Sequence, residues 1–255
     1  GGEPWTEKPW KWLFQVIGKS KVPIMNSAGG TEVSGSILHC CLHRPFKVGS
    51  FNAPIPGMSA DILNLDGKKV STNEMGELVM RKSSIGLTKS LWNDDKRYID
   101  NYWSVIKDYW VHGDLASRDA DGHWYLHGRS DDTIKVSGKR IGPSELESVI
   151  VKSGKAKEVA AVGIPDENKG SKIILSIVPA ENNDQKESFF EDLVIKDLGK
   201  SFKPDKVIFV KDLPKTRNMK IMRRVIKSCL ANQDPGDLST LLNPESVEEI
   251  RSHAI

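Results

Sequence analysis

The chain has 255 residues, 38% apolar and 28% charged, a balance that reads as soluble and globular, with length for one large or two modest domains. A net charge of +3 is too small to argue for a nucleic-acid partner, no apolar run approaches the ~20 residues of a membrane helix, and no signal peptide opens the chain. Cys40, Cys41 and Cys229 form neither a disulfide framework nor a metal spacing, which points to a reducing, cytoplasmic compartment.

In chain order, Trp5, Trp12, Leu13 and Val16 recur at helical spacing and predict a helix that ends near Gly18. A short apolar strand is expected at Lys21–Met25, followed by the glycine-rich NSAGGTEVSGS. The pair Cys40–Cys41 sits in HCCLH; adjacent thiols cannot easily share one ion, so a buried element is preferred to a zinc site. A hairpin with an Asp66-Gly67 turn, an alternating strand at GELVMRK, a helical insertion at DDKRYIDNYW and a second hairpin with Asp121-Gly122 at its tip follow. Residues 21–128 thus read as a β-rich unit. After Gly128-Arg129 the texture changes. DDTIKV reads as a strand, SGKRIG as a loop, and PSELESVIVKSG as a helix with Pro143 at its first position. Strands at EVAAVGI, SKIILSIV and DKVIFV, a helix at KESFFEDLVIKDLG and a last helix at KIMRRVIKSCLA complete a small α+β domain. The polar tail after Gln233 is expected to wrap the surface. The boundary falls near Ser130, giving domains 1–129 and 130–255. The remaining histidines, His112, His123, His127 and His253, show no nucleophile or metal arrangement and read as surface or hairpin residues.

The stretches GEP, GGTE, HGD, GRSDDTIKVSGKRIGPSELE, VGIPDENKG and LPKTRNMKIMRR occur in that order. Together they resemble the adenylate-forming enzymes, and within them the acetyl-CoA synthetase branch of short-chain acyl-CoA synthetases, from Gly2 to near Glu249. The family's upstream phosphate-binding loop has no counterpart here, so the chain resembles the C-terminal part of a longer enzyme. The implied fold is mixed α/β: the end of a large AMP-binding domain with a β-rich subdomain, then a small mobile α+β domain. The implied activity is an acid–thiol ligation in two halves. A carboxylate attacks the α-phosphate of ATP to give acyl-adenylate and pyrophosphate; coenzyme A then gives acyl-CoA and AMP. ATP or AMP, Mg²⁺, coenzyme A and a small carboxylic acid are the implied cofactors and substrates, and the missing N-terminal domain is the implied partner.

The resemblance assigns the residues one by one. Lys220 matches the adenylation lysine, a compact charge placed between acyl carboxylate and phosphate. The family's Ser-Gly before it is Asn218-Met219 here, which costs the loop a glycine's freedom. Acetylation of this lysine would remove its charge, which implies a lysine acetyltransferase and deacetylase as partners. Asp114 matches the aspartate that accepts from both ribose hydroxyls; Arg129 and Arg140 match nucleotide-contacting arginines. Gly30 and Thr31 lie at the phosphates, with Glu32 as the Mg²⁺ ligand. Gly2, Glu3 and Pro4 match the adenine-side segment, and Asn26 stands where aspartate often faces the adenine amino group. Ser137 and Gly138 match the loop that turns inward for thioester formation, Asp131 matches the hinge, and Ile195 replaces an arginine for the coenzyme's phosphate end. Gly29 occupies the place of a tryptophan that closes the acetate pocket, so an acid larger than acetate is expected. The chain alone is expected to be weakly active at best and to expose apolar surface. Two other readings stand beside this one: a non-catalytic nucleotide-binding fragment and a basic interaction domain resting on KTRNMKIMRR.

Overall fold

The computed structural model describes residue 5 and residues 7–181 and 184–255. Gly2, Glu3 and Pro4 lie outside the described residues. The chain divides into two units, Gly1–Asp131 and Asp132–Ile255.

In the first unit, helix α1 (Glu7–Trp12) continues as a π-helical turn over Leu13–Ile17 and stops at Gly18. The strand expected at residues 21–25 does not form: Pro23 has no N–H for a ladder. Strand β1 is instead Ser27–Gly30, within the glycine-rich stretch, and joins β2 (Gly35–His39) and β3 (Ala53–Pro54) in an antiparallel sheet. A second antiparallel sheet runs β4 (Ala60–Leu63), β5 (Gly76–Met80), β6 (Trp110–Arg118), β7 (Trp124–Arg129) in chain order. The turn at Asp66-Gly67 closes only a single Leu63–Lys69 bridge. All five residues of β5 are buried, so the alternation read from GELVM gives way to a strand covered on both faces. Phe51 and Trp124 exchange backbone hydrogen bonds of 2.9 and 2.8 Å, which ties the two sheets together. The core gathers Ile37, Leu38, Phe51, Leu78, Trp110 and Trp124. Helix α2 (Asp95–Tyr98) runs into a π turn at Ile99–Trp103 that brings Tyr102 flat onto Trp110, with centroids 5.2 Å apart. Cys40 is buried and Cys41 half-buried, and no group of three metal-ligating side chains occurs among the described residues. Trp92 and Ile85 stand fully in solvent.

The second unit follows from a strand pair apolar on both faces. Antiparallel strands β10 (Ala156–Asp166) and β11 (Gly170–Pro179) are joined by β12 (Lys206–Phe209), parallel to β11. Parallel pairing needs a crossover, supplied by helix α4 (Glu187–Leu198). Because side chains alternate across a strand, Val159, Ala161, Leu175 and Val207 face one cluster with helix α3 (Pro143–Lys152) and α4, while Ala160, Val162, Ile174 and Ile208 face another with helices α5 (Arg223–Leu230) and α6 (Glu245–Arg251). Helix α3 opens with Pro143, and the Glu145 carboxylate accepts from the Gly142 N–H at 3.1 Å, which closes the N-terminal turn. The stretch read as a loop, SGKRIG, is a turn followed by a strand: β8 (Ile134–Val136) and β9 (Lys139–Ile141) form a hairpin on Ser137 and Gly138, both at positive φ of 48° and 81°, the pattern of a tight two-residue turn. The tail does not merely wrap the surface. Helix α6 buries Val247 and Ile250 against the sheet, because its apolar residues recur three apart on one helix face. No helix among the described residues is long and apolar enough to cross a membrane.

Candidate nucleotide site and catalytic lysine loop

Strand β6 turns a sharp corner at Gly113, whose φ is +81°. That left-handed backbone suits glycine, and a Cβ there would also sit 2.6 Å from the Arg129 Nη2, so a side chain would push on the guanidinium that lies against Asp114. Asp114 pairs with Arg129 across the β6–β7 ladder. Arg129 Nη1 donates to the His112 carbonyl at 3.0 Å and lies 3.4 Å from Asp114 Oδ1, and its Nε lies 3.4 Å from Asp131 Oδ1. Register shifts on both sides of β6 accompany this corner, as bulges do where a side chain is re-aimed. Each Asp114 oxygen has a cationic or imidazole nitrogen 3.4 Å away and keeps lone pairs to accept from vicinal hydroxyls.

His112 is the residue that sequence reasoning missed. Only 7% exposed, it is no surface residue: it packs on Trp110, and its Nε2 lies 3.4 Å from Asp114 Oδ2. A Cβ on Gly30 would come within 3.1 Å of its ring, so β1 and β6 meet there. Its Nδ1 has no well-formed hydrogen bond, with the Gly29 carbonyl nearby. Burial pushes the imidazole below its ordinary range; the Asp114 carboxylate works the other way and Arg129 adds to the lowering. A neutral ring keeps one donor and one acceptor. The only sequence signal was its place two residues before Asp114 on one strand face. His123 is also buried, with Nε2 3.0 Å from the Pro45 carbonyl.

Thr31, Glu32 and Val33 form one 3₁₀ turn after β1, and the Glu32 carbonyl accepts from Thr88 N–H at 2.7 Å. Burial and then the Glu32 carboxylate raise the Tyr102 hydroxyl above its usual range, which fixes Glu32 beside Tyr102 and His112. Mg²⁺ takes one or two protein carboxylates and fills its octahedron with water and phosphate oxygens; Glu32 fits that role. Asn26 is buried, its Nδ2 3.4 and 3.5 Å from the Gly49 and Ser50 carbonyls. At Gly29 strands β1 and β2 of the first sheet approach closely. A Cβ there would lie 2.0 Å from the Gly35 carbonyl oxygen: the side on which an indole would project is filled by the backbone of β2.

In the second unit, Ser137, Gly138 and Arg140 sit exposed on the β8–β9 hairpin. Lys220 is not at a helix start, as the sequence suggested; α5 begins at Arg223. Lys220 closes an exposed loop whose ends are bonded. Thr216 N–H donates to the Lys220 carbonyl at 2.9 Å, and Lys220 N–H to Thr216 Oγ1 at 3.2 Å. Met219, where a glycine was expected from the family pattern, holds φ at +62°. After the loop, Arg223 forms a two-bond pair with Glu147 at 2.9 and 2.8 Å. Asp131, the expected hinge, is exposed at the last position of the first unit.

Comparison with known proteins bears on both units. The family model "AMP-binding enzyme" matches residues 1–92, and "AMP-binding enzyme C-terminal domain" matches residues 145–220. The acetyl-coenzyme A synthetase of Methanothrix soehngenii is 37% identical over 98% of this chain and 38% of its own length. That of Methanothrix thermoacetophila is 38% identical over 98% of this chain and 39% of its own. The chain therefore spans less than two-fifths of these relatives. The solved acetoacetyl-CoA synthetase of Streptomyces lividans shares the fold with a TM-score of 0.81 at 22% identity, over 95% of this chain and 38% of that one.

Proposed function

The chain belongs to the AMP-binding, adenylate-forming enzyme family, and from that premise we propose that it is the C-terminal portion of an AMP-forming acyl-CoA synthetase. The carrying observation is the Asp114–His112–Arg129 group held at the Gly113 corner beside Glu32. In this reading Asp114 accepts from the two ribose hydroxyls, and His112 and Arg129 hold its carboxylate in place. Asn26 Oδ1 accepts from the adenine amino group, and Arg129 and Arg140 answer the phosphate charge. Thr31 donates to a phosphate oxygen while Glu32 binds the Mg²⁺ that arrives with ATP and shields its phosphates. Lys220 neutralises charge as the carboxylate attacks the α-phosphate. Ser137 and Gly138, at the tip of an exposed hairpin, border the pantetheine path, and Asp131 serves as hinge. The substrate is a short-chain carboxylic acid. Exposed Lys220 is open to acetylation, and three free cysteines suit a cytoplasmic enzyme.

The test is carboxylate-dependent ATP–pyrophosphate exchange with acetate, propionate and butyrate, on this chain and on the complete gene product, with Asp114→Asn and Lys220→Ala as controls. Exchange in the complete product that both substitutions abolish supports the reading. AMP binding without exchange in the complete product favours the nucleotide-binding module instead.

A further inference from the structure

We propose that Asn243 is a positioning residue for Lys220, and that residues 237–243 are a clamp that sets the geometry of the loop carrying it. The inference rests on the reading of Lys220 above.

The loop leaves and returns to a strip at residues 212–216, and the tail is laid along that strip. Thr216 and Leu241 form an antiparallel bridge. Arg217 N–H donates to the Thr240 carbonyl at 3.3 Å, and Leu242 N–H to the Lys215 carbonyl at 2.8 Å. Asn243 then inserts its side chain, with the residue only 7% exposed. Its Nδ2 donates to Asp212 Oδ2 and to the Leu213 carbonyl, both at 2.8 Å, and its Oδ1 accepts from Lys215 N–H at 3.0 Å. All three bonds go to one strip, and none goes to the tail's own helix.

The strip is fastened from the other side as well. Lys215 Nζ, almost wholly buried, lies 2.6 Å from Asp212 Oδ1 and 2.6 Å from Glu158 Oε2 on β10. One Asp212 carboxylate is thus shared between Lys215 and Asn243. Leu238 and Leu241 pack against the α5–α6 cluster and anchor the tail. Only residues 217–219 stand between this fixed strip and Lys220, whose N–H and carbonyl both return to Thr216.

Such fastening has a use. Met219 holds a left-handed backbone that a side chain disfavours, so a loop freed at Thr216 would relax away from this shape. A reacting group displaced by about 1 Å loses rate by roughly 10²-fold. Lys220 is exposed, and among the described residues no side chain anchors its ammonium, so its place is set by the backbone that the tail holds.

The experiment compares Asn243→Ala with the unsubstituted protein, in this chain and in the complete gene product. Three quantities are read: amide exchange over residues 215–222, ATP–pyrophosphate exchange, and thioester formation from supplied acyl-adenylate. The expected result is loop exchange faster by ~10-fold or more, adenylation slower by roughly 10–100-fold, and thioester formation unchanged. Unchanged loop exchange, or an equal loss in both half-reactions, overturns the proposal. Should Asn243→Ala not fold, Asn243→Ser, which keeps a hydroxyl at the site, carries the same comparison. Lys220→Ala separates the two layers. Adenylation that survives it overturns the reading of Lys220, whereas loop exchange unmoved by Asn243→Ala overturns the clamp alone.

Discussion

Glu147 and Arg223 link helix α3 to the start of α5 through two bonds, and Glu147 Oε1 also accepts from Ala161 N–H on β10 at 3.0 Å. The side chains are 13% and 16% exposed, so the pair is largely out of water. Removing one partner of such a pair costs about 3–5 kcal/mol, chiefly because the other charge is left uncompensated. Arg223 has further contacts, and both heads keep some water, so ~2–4 kcal/mol is the expectation for Glu147→Gln. For a unit of this size that is a fall of roughly 8–15 °C in the second unit's melting temperature. Arg223→Met leaves a buried carboxylate and should cost a similar amount. The double variant should cost much less than the sum, with a coupling of at least ~1.5 kcal/mol. Every tryptophan and tyrosine lies before residue 132, so the assay is urea unfolding read by amide exchange over the second unit, with single and double variants in one cycle. Additive losses, with coupling under ~0.5 kcal/mol, would refute the claim that the pair acts as a unit.

Gly29→Ala should destabilise the first unit by about 1–3 kcal/mol, because its Cβ meets the Gly35 carbonyl and β2 must move; a melting temperature equal to that of the parent would count against the β1–β2 geometry. Met219→Gly should stabilise by ~0.5–1 kcal/mol, since relief of the left-handed strain exceeds the added unfolded-chain entropy; chemical denaturation reads this directly. His112 carries a pH signature. Its folded-state pKa lies below the unfolded value, so the unfolded chain binds the extra proton, and stability falls as pH drops below the ordinary histidine pKa of ~6.5. His112→Gln should flatten the stability difference between pH 7 and pH 5, and an unaltered slope would remove burial as its cause.

The linear signals read well wherever one residue type has one local use. Pro143 at a helix start, Asp121-Gly122 at a hairpin tip and the apolar run IILSIV each fixed an element. The readings that failed were those where a local pattern had two outcomes. The apolar KVPIM looks like a strand, yet Pro23 cannot join a ladder and β1 forms just after it, where Gly29 lets the β2 backbone come too close for any Cβ. SGKRIG looks like a loop because its turn and its strand are equally short. His112 looked idle because its burial depends on β1, whose Gly30 meets its ring and which is remote from it in sequence.

By itself, then, the sequence determined the family and most helices and strands of the second unit, because those depend on residue identity and short spacing. Only the tertiary structure decided that Asp114 lies 3.4 Å from both His112 and Arg129, that the β2 backbone closes on Gly29, and that the tail is bonded through Asn243 to the strip before the Lys220 loop. Those facts rest on contacts between residues as far apart as Lys215 and Asn243, and such contacts exist only once the sheet has brought their elements side by side.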